Sequence, residues 1–217
     1  MTHSPPLTAE RGKAEENRVP QIKTVAVFCG SRPGRLPAYR DAAGALGGGL
    51  AKAGLRLVYG GGRIGLMGAL ADAALAAGGT VIGIIPEFLT RLEVAHEGVT
   101  ELVVTDSMHV RKRRMFELAD AFVTLPGGLG TLDETVEILT WRQLGLHDKP
   151  ILLCDVAGSA EPLVTTIEAA IDRGFAGPES RLLYEVVPGV PGVLRRLAQL
   201  AEGPGQPATR GGAAALT

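Results

Sequence analysis

Short apolar segments alternate with longer helical patterns through most of the chain, and this alternation constrains the fold more than any other feature. The apolar segments are rich in Val, Ile and Leu and span residues 24–29, 55–59, 80–86, 99–104, 121–126, 150–155 and, more weakly, 184–187. Such runs without polar alternation are typical of parallel strands covered on both faces. Helical spacing occupies residues 37–53, 64–77, 107–119, 131–145 and 160–173. In the fourth of these, Val136, Leu139, Trp141 and Leu144 fall near one face, with Ile138 at its edge. The pattern predicts a single α/β domain with a doubly wound, mostly parallel sheet.

The ends of the 217-residue chain differ from this pattern. Residues 1–20 and 202–217 are polar or rich in Pro and Gly, which predicts two disordered tails around one domain at 21–201. The first twenty residues lack the apolar core of a signal peptide, and no apolar run reaches the roughly 18 residues of a membrane span. We therefore expect a cytoplasmic protein without a membrane partner.

Charge gives little reason to expect a nucleic-acid partner. The formal net charge is −1, and the basic run at 111–114 lies on a short helix without interleaved aromatic residues. Arg113 and Arg114 are predicted to be solvated, whereas Arg111 and Lys112 fall in the first turns and are placed to meet a ligand. The four histidines show no ligand spacing, so no metal is predicted. Cys29 and Cys154 are interpreted as small buried hydrophobic residues.

Three predicted strands are followed by glycine-containing loops, at residues 30–37, 60–68 and 127–131. The carboxyl ends of parallel strands share one edge of a sheet, so these loops are expected to lie together. Glycine loops that lead into helices present backbone N–H groups and the positive end of a helix dipole, which suits a phosphate. Ser31, in the first loop, is expected to hydrogen-bond a ligand or the turn, since no Ser–His–Asp order is evident.

The second loop leaves a cofactor alternative open. Gly60, Gly62 and Gly65 form a G-x-G-x-x-G pattern, with Glu87 22 residues further on, as in dinucleotide-binding proteins. The pattern follows the second predicted strand rather than the first, which weakens the hypothesis that the protein is an NAD-linked oxidoreductase. No lysine has the apolar surroundings expected for a Schiff base, so pyridoxal phosphate is not predicted. We expect no cofactor.

The third loop, within TLPGGLGTLDE at 124–134, has two interpretations. Thr131 and Glu134 fit a capping box, with Thr131 at the N-cap and Glu134 three residues later. Alternatively, the loop cradles a phosphate and Glu134 is a catalytic carboxylate, kept ionised by the helix N-terminus.

The chain resembles the LOG family, the cytokinin riboside 5′-monophosphate phosphoribohydrolases, over residues 22–200. The resemblance rests on VFCGS (27–31), YGGGRIGLMG (59–68), VIGIIPEFL (81–89), MHVRKRRM (108–115) and PGGLGTLDE (126–134). It implies a Rossmann-like fold, a homodimer, and hydrolysis of N6-modified adenosine 5′-monophosphates to the free base and ribose 5-phosphate. A broader nucleotide 5′-monophosphate nucleosidase and a non-catalytic nucleotide-binding protein remain alternatives.

Site residues follow from matching the family motifs position by position. The resemblance implies that Arg111 and Glu134 are catalytic. The implied nucleotide contacts are Glu93, Arg111, Lys112, Gly128, Leu129, Gly130, Thr131, Leu132, Asp133, Glu134 and Thr140. Four residues of the glycine loops, Ser31, Gly61, Gly62 and Gly127, are also predicted to bind substrate, as is Met108 at the start of the MHVRKRRM motif.

Overall fold

A computed structural model describes residues 22–202, which form seven strands and six α-helices. The strands are β1 (Thr24–Phe28), β2 (Arg56–Tyr59), β3 (Val81–Pro86), β4 (Glu101–Thr105), β5 (Ala121–Thr124), β6 (Ile151–Asp155) and β7 (Glu185–Pro188). The helices are α1 (Pro37–Lys52), α2 (Gly65–Ala76), α3 (Met108–Leu118), α4 (Leu129–Gln143), α5 (Glu161–Asp172) and α6 (Gly189–Glu202). Apart from Glu202, which ends α6, the two predicted tails lie outside the described residues.

All seven strands pair in parallel, in the order β4-β3-β2-β1-β5-β6-β7. The predicted doubly wound α/β sheet is confirmed. Strand β1 is central: Val25 is in register with Leu57 of β2 on one side and with Ala121 of β5 on the other. Strand order reverses between β1 and β5, so a crevice opens there at the carboxyl edge, where doubly wound sheets bind ligands.

Successive residues of the central strands enter opposite hydrophobic cores, as the period of two in a strand requires. Val25 and Val27 contribute to the core beneath α1, α2 and α6, whereas Ala26 and Phe28 contribute to the core on the other face. Every residue of β1 is buried, which explains why the strand is apolar from Val25 to Phe28.

The last helix, α6, was not predicted. Pro191 and Gly192 near its start obscure the helical pattern, although proline is compatible with the first turn of a helix. Val190, Val193 and Leu197 are buried at helical spacing and anchor α6 to the sheet.

The buried face of α4 also differs from the predicted one, which placed Val136, Leu139, Trp141 and Leu144 near one side with Ile138 at its edge. Val136 and Leu144 are exposed. The buried residues of α4 are Thr131, Glu134, Thr135, Ile138 and Leu139. The polar members of this set concealed the inward face because a hydrophobic pattern cannot register a buried carboxyl or hydroxyl.

No helix within residues 22–202 is long and apolar enough to cross a bilayer.

Candidate functional site

A cavity of about 690 Å³ opens at the carboxyl edge of the sheet, over the crevice between β1 and β5. This volume lies within the usual range for small-molecule sites. The predicted site residues that line it are Ser31, Glu93, Met108, Arg111, Gly127, Gly128, Leu129, Gly130, Thr131 and Glu134. Residues distant in sequence therefore meet at one place, as the strand-end rule predicts.

Helix α4 begins three residues earlier than the capping-box interpretation requires, and that interpretation is wrong. Gly128 is the N-cap, with extended backbone and no capping side chain, so Glu134 is the sixth helical residue. Thr131 lies inside the helix, and its side chain fills the space where Gly127 lacks a Cβ. The helix therefore starts among glycines with no side chain on its first N–H groups. Such an N-terminus suits an anionic ligand.

Arg111 is buried and its guanidinium is fixed by three neighbours. Nε donates to the Ile84 carbonyl at 3.0 Å, and Nη2 donates to the Gly60 carbonyl at 2.8 Å. Nη1 lies 3.7 Å from Sδ of Met108, one turn earlier in α3. Gly60 is required at its position because a Cβ there would collide with Nη2. One carbonyl within β3 and one directly after β2 thus hold a single cation rigidly at the edge of the sheet.

The glycines of the second loop accommodate protein groups rather than a dinucleotide. Arg111 occupies the space beside Gly60, and Met67 and Glu93 occupy the space beside Gly62. The loop also follows β2, one strand away from the reversal in strand order. This packing argues against the NAD alternative, because the fingerprint needs its glycines open to the pyrophosphate.

Glu93 reaches the cavity on the irregular segment between β3 and β4. This segment is attached to the second loop by backbone bonds, including the Arg63 N–H to the Val94 carbonyl at 2.8 Å and the His96 N–H to the Gly61 carbonyl at 2.9 Å. Glu93 Oε2 lies 3.7 Å from Arg111 Nη2. That oxygen is buried without a hydrogen-bond partner among the described residues. Burial raises the pKa of Glu93, while Arg111 acts in the opposite direction.

Glu134 does not have the environment that was expected from its helix position. Its side chain is almost fully buried, and this burial raises its pKa to about 7, although Arg111 opposes the rise. The expectation that the helix N-terminus keeps Glu134 ionised is therefore wrong at mildly acidic pH. Glu134 lies in the second turn, and the dipole effect falls off within the first. A carboxyl that titrates near neutrality is suited to acid–base chemistry.

Both cysteines are buried and free, as predicted. Cys29 lines the cavity beside Glu134, and burial raises the pKa of its thiol far above neutrality. The thiol stays protonated, so Cys29 lacks the thiolate that nucleophilic catalysis needs.

The remaining predicted site residues lie outside the cavity lining, and their contact with a substrate stays a prediction. Lys112 Nζ lies 3.1 Å from Asp133 and 3.2 Å from Glu137, in a half-buried position between α3 and α4. The others are Gly61, Gly62, Leu132, Asp133 and Thr140. Thr140 is exposed, and its hydroxyl donates to the Val136 carbonyl at 2.8 Å.

Several lining residues were not predicted as site residues, and three of them carry a hydroxyl or guanidinium group. Arg32 lines the cavity but was left without a role, Tyr39 belongs to the first turn of α1, and Ser159 follows β6. The rule that loops after parallel strands share one edge also applies to β6 and would have indicated Ser159. Tyr39 lacks such a signal, because only the packing of its ring against Gly34 brings it to the cavity.

The fold and this cavity define a Rossmann-like α/β protein with its site at the reversal in strand order. Two structural relatives share the fold. They are the molybdenum cofactor carrier protein of Chlamydomonas reinhardtii, 22% identical with a TM-score of 0.60, and the molybdenum cofactor binding protein of Rippkaea orientalis, 22% identical with a TM-score of 0.63. They cover 83% and 82% of this chain, and 98% and 96% of their own.

Sequence relatives identify the family. Residues 67–197 match the family model described as "Possible lysine decarboxylase". The cytokinin riboside 5′-monophosphate phosphoribohydrolase of Rhodococcoides fascians is 47% identical over 190 residues, which are 87% of this chain and 95% of that protein. The Arabidopsis thaliana enzyme LOG7, of the same name, is 42% identical over 82% of each chain. The chain belongs to the LOG family.

Proposed function

We propose that this protein hydrolyses the N-glycosidic bond of N6-modified adenosine 5′-monophosphates, which releases the free base and ribose 5-phosphate. Relatives that are 41–47% identical and match most of the chain carry the name of this activity. The observation that carries the proposal is the meeting of Glu134, Arg111 and the uncapped start of α4 in one cavity. These groups match the three needs of the reaction, namely a carboxylate, a cation and an anion cradle.

Cleavage of a glycosidic bond develops positive charge on the sugar, in a transition state that resembles an oxocarbenium ion. Ionised Glu134 stabilises this charge and orients or deprotonates the attacking water. Arg111 offsets negative charge on the departing base. It does so without reorganising, because backbone carbonyls already fix two of its nitrogens.

The other groups position the substrate. The N–H groups at Leu129, Gly130 and Thr131 bind the 5′-phosphate, because no side chain caps them. The unpartnered Oε2 of Glu93 accepts a hydrogen bond from a ribose hydroxyl. Fixing the sugar beside the acid can by itself supply several kcal/mol of the barrier.

The direct test is chromatography of the products formed from AMP and from N6-isopentenyl-AMP. We expect free base and ribose 5-phosphate from both, with a far higher kcat/KM for the prenylated nucleotide. Equal kcat/KM values would support the broader nucleosidase. If neither nucleotide releases free base but AMP still binds, the result would support the alternative that the chain is a non-catalytic nucleotide-binding protein.

The pH profile should report on Glu134. Its pKa is raised to about 7, so the carboxylate forms only as the pH rises through that value. If the ionised form is required, kcat/KM should fall about tenfold per pH unit below neutrality. Because the substrate phosphate also titrates, near pH 6, the affinity for ribose 5-phosphate should be measured over the same range. A flat kcat/KM between pH 5 and pH 8 would exclude a required Glu134 carboxylate.

We also propose that the protein is a homodimer, joined through an outward stripe of α4. The stripe consists of Leu129, Leu132, Val136 and Thr140. Leu129 is 86% exposed and Val136 is 45% exposed, so a second copy would bury apolar area that the isolated chain leaves in water. Light scattering at micromolar concentration should give the mass of a dimer, and Val136→Asp should reduce it. A monomer mass for the unmodified protein would contradict the proposal.

A further inference from the structure

The charged side chains that line the cavity are two arginines and two glutamates: Arg32, Arg111, Glu93 and Glu134. Arg111 faces both acids, and two of its three nitrogens are already bonded to backbone carbonyls. A bound 5′-phosphate adds up to two negative charges to this site. Arg111 is held by two backbone carbonyls and faces both acids, so Arg32 is the cation in the lining that is left to pair with a phosphate.

The backbone around Arg32 is held against the phosphate cradle. The preceding Gly30 donates its N–H to the Pro126 carbonyl at 3.0 Å, and its own carbonyl accepts from the Leu66 N–H at 3.0 Å. A Cβ at Gly30 would lie only 3.3 Å from the Cα of Gly127, so the first and third loops are in close contact. Gly65 packs against the Arg32 backbone from the opposite side.

The side chain of Arg32, in contrast, has no polar partner within residues 22–202. It is exposed at the cavity, and within residues 22–202 it forms no ion pair or side-chain hydrogen bond. Lys112 differs, since Asp133 and Glu137 neutralise it outside the cavity. Arg35, three residues further along the loop, is exposed but does not line the cavity.

We propose that Arg32 is a phosphate-binding residue that closes over the 5′-phosphate opposite the start of α4, and so selects nucleotides over unphosphorylated nucleosides. A guanidinium can bind two phosphate oxygens at once through its planar fork. The phosphate is then held between N–H groups on one side and a side-chain cation on the other. This inference rests on the proposed function for the identity of the substrate, but the anion contact itself can be measured without catalysis.

The test compares Arg32→Gln with Arg35→Gln, a matched loss of charge on the same loop. Calorimetry with ribose 5-phosphate should show the dissociation constant rise by about 10- to 100-fold for Arg32→Gln, the effect of one charged hydrogen-bond pair. Arg35→Gln should stay within about twofold, and Arg32→Lys should be intermediate because it keeps the charge but loses the fork. The kcat/KM for the nucleotide should fall with Arg32→Gln, while that for the nucleoside stays constant.

Equal effects of Arg32→Gln and Arg35→Gln on ribose 5-phosphate binding would overturn the proposal, as would unmodified protein that binds no ribose 5-phosphate. If Arg32→Gln lowers kcat/KM equally for the nucleotide and the nucleoside, the proposal is also overturned, since such a result would indicate a general disturbance of the site. The two proposals fail separately. If ribose 5-phosphate binding depends on Arg32 but no nucleotide is hydrolysed, only the proposed function is contradicted. If the nucleotide is hydrolysed equally well by Arg32→Gln, only the phosphate contact of Arg32 is contradicted.

Discussion

Replacing Glu134 with Gln should lower kcat for nucleotide hydrolysis at least about 10²-fold, the usual effect of removing one acid–base group. Gln keeps the size of the side chain and can still hydrogen-bond, but it carries no charge and accepts no proton. The substrate phosphate is held elsewhere, so AMP should bind within about tenfold of the unmodified protein. Steady-state kinetics and calorimetry measure the two quantities separately.

The same substitution should alter how stability depends on pH. The pKa of Glu134 is raised to about 7 in the folded chain, above its ordinary value of 4.5, so folding becomes less favourable as the pH rises between these values. Gln does not titrate. The variant should therefore match the unmodified protein near pH 4.5 and be more stable at pH 8, by a difference on the order of 1–3 kcal/mol.

Glu137→Gln is the matched control, because Glu137 is one turn further along α4 and pairs with Lys112 outside the cavity. It should change kcat less than about threefold, because Glu137 does not line the cavity and Lys112 keeps its second partner, Asp133. If Glu134→Gln hydrolyses the nucleotide within a few-fold of the unmodified protein, the carboxylate is not the catalytic group.

Replacing Arg111 with Met should have the second large effect, on stability and activity together. Met fills much of the same volume, but it leaves the Ile84 and Gly60 carbonyls without their donor and the buried Glu93 without its cation. Breaking a buried pair in this way typically costs about 3–5 kcal/mol. We expect kcat/KM to fall at least about 10³-fold, because the cation opposite the departing base is lost as well.

Arg111→Lys separates the two effects. Lys restores a charge near Glu93 but cannot donate to two carbonyls and face the cavity at once, so stability should recover more than activity. Arg113→Met is the control, since Arg113 is exposed on the same helix and pairs with Glu117 across one turn, a contact worth about 0.3–0.5 kcal/mol. Urea unfolding and kcat/KM should be measured for all three variants. Equal losses for Arg111→Met and Arg113→Met would contradict the assigned role of Arg111.

The strands and the edge that carries the site could be predicted because their signals are local. An apolar run such as 24–28 shows that a strand is covered on both faces, and a following glycine loop shows where the chain can approach a ligand. The order of the strands has no such local signal. It depends on which strands pair, and this pairing places the loops after β1 and β5 at the crevice and the loop after β2 beside it.

The electrostatics of the site were less predictable, because they depend on burial. The sequence TLDE fits a capping box, which would place Glu134 in the first turn of the helix. In the structure the helix begins at Leu129, so Glu134 lies in the second turn and is buried. The position of Glu93 depends on backbone bonds between two irregular segments, which leave no periodic pattern in the sequence. Arg111 was recognised from a motif, but its fixed geometry follows from two carbonyls distant in sequence, one within β3 and one directly after β2.

The pairing of β1 with β5 also governs the order in which the protein can be assembled. Val25 pairs with Ala121, and nearly half the chain is synthesised between these two residues. At ordinary rates of translation this takes on the order of several seconds. Until then a nascent chain can pair β1 with β2 alone, and the other edge of β1, which is apolar from Val25 to Phe28, remains open to unrelated partners. The two walls of the cavity lie on opposite sides of this junction, so an amino-terminal fragment that ends before β5 contains only one of them. The site can therefore form only after β5 has been synthesised, and until then the unpaired edge of β1 is a position where aggregation can start.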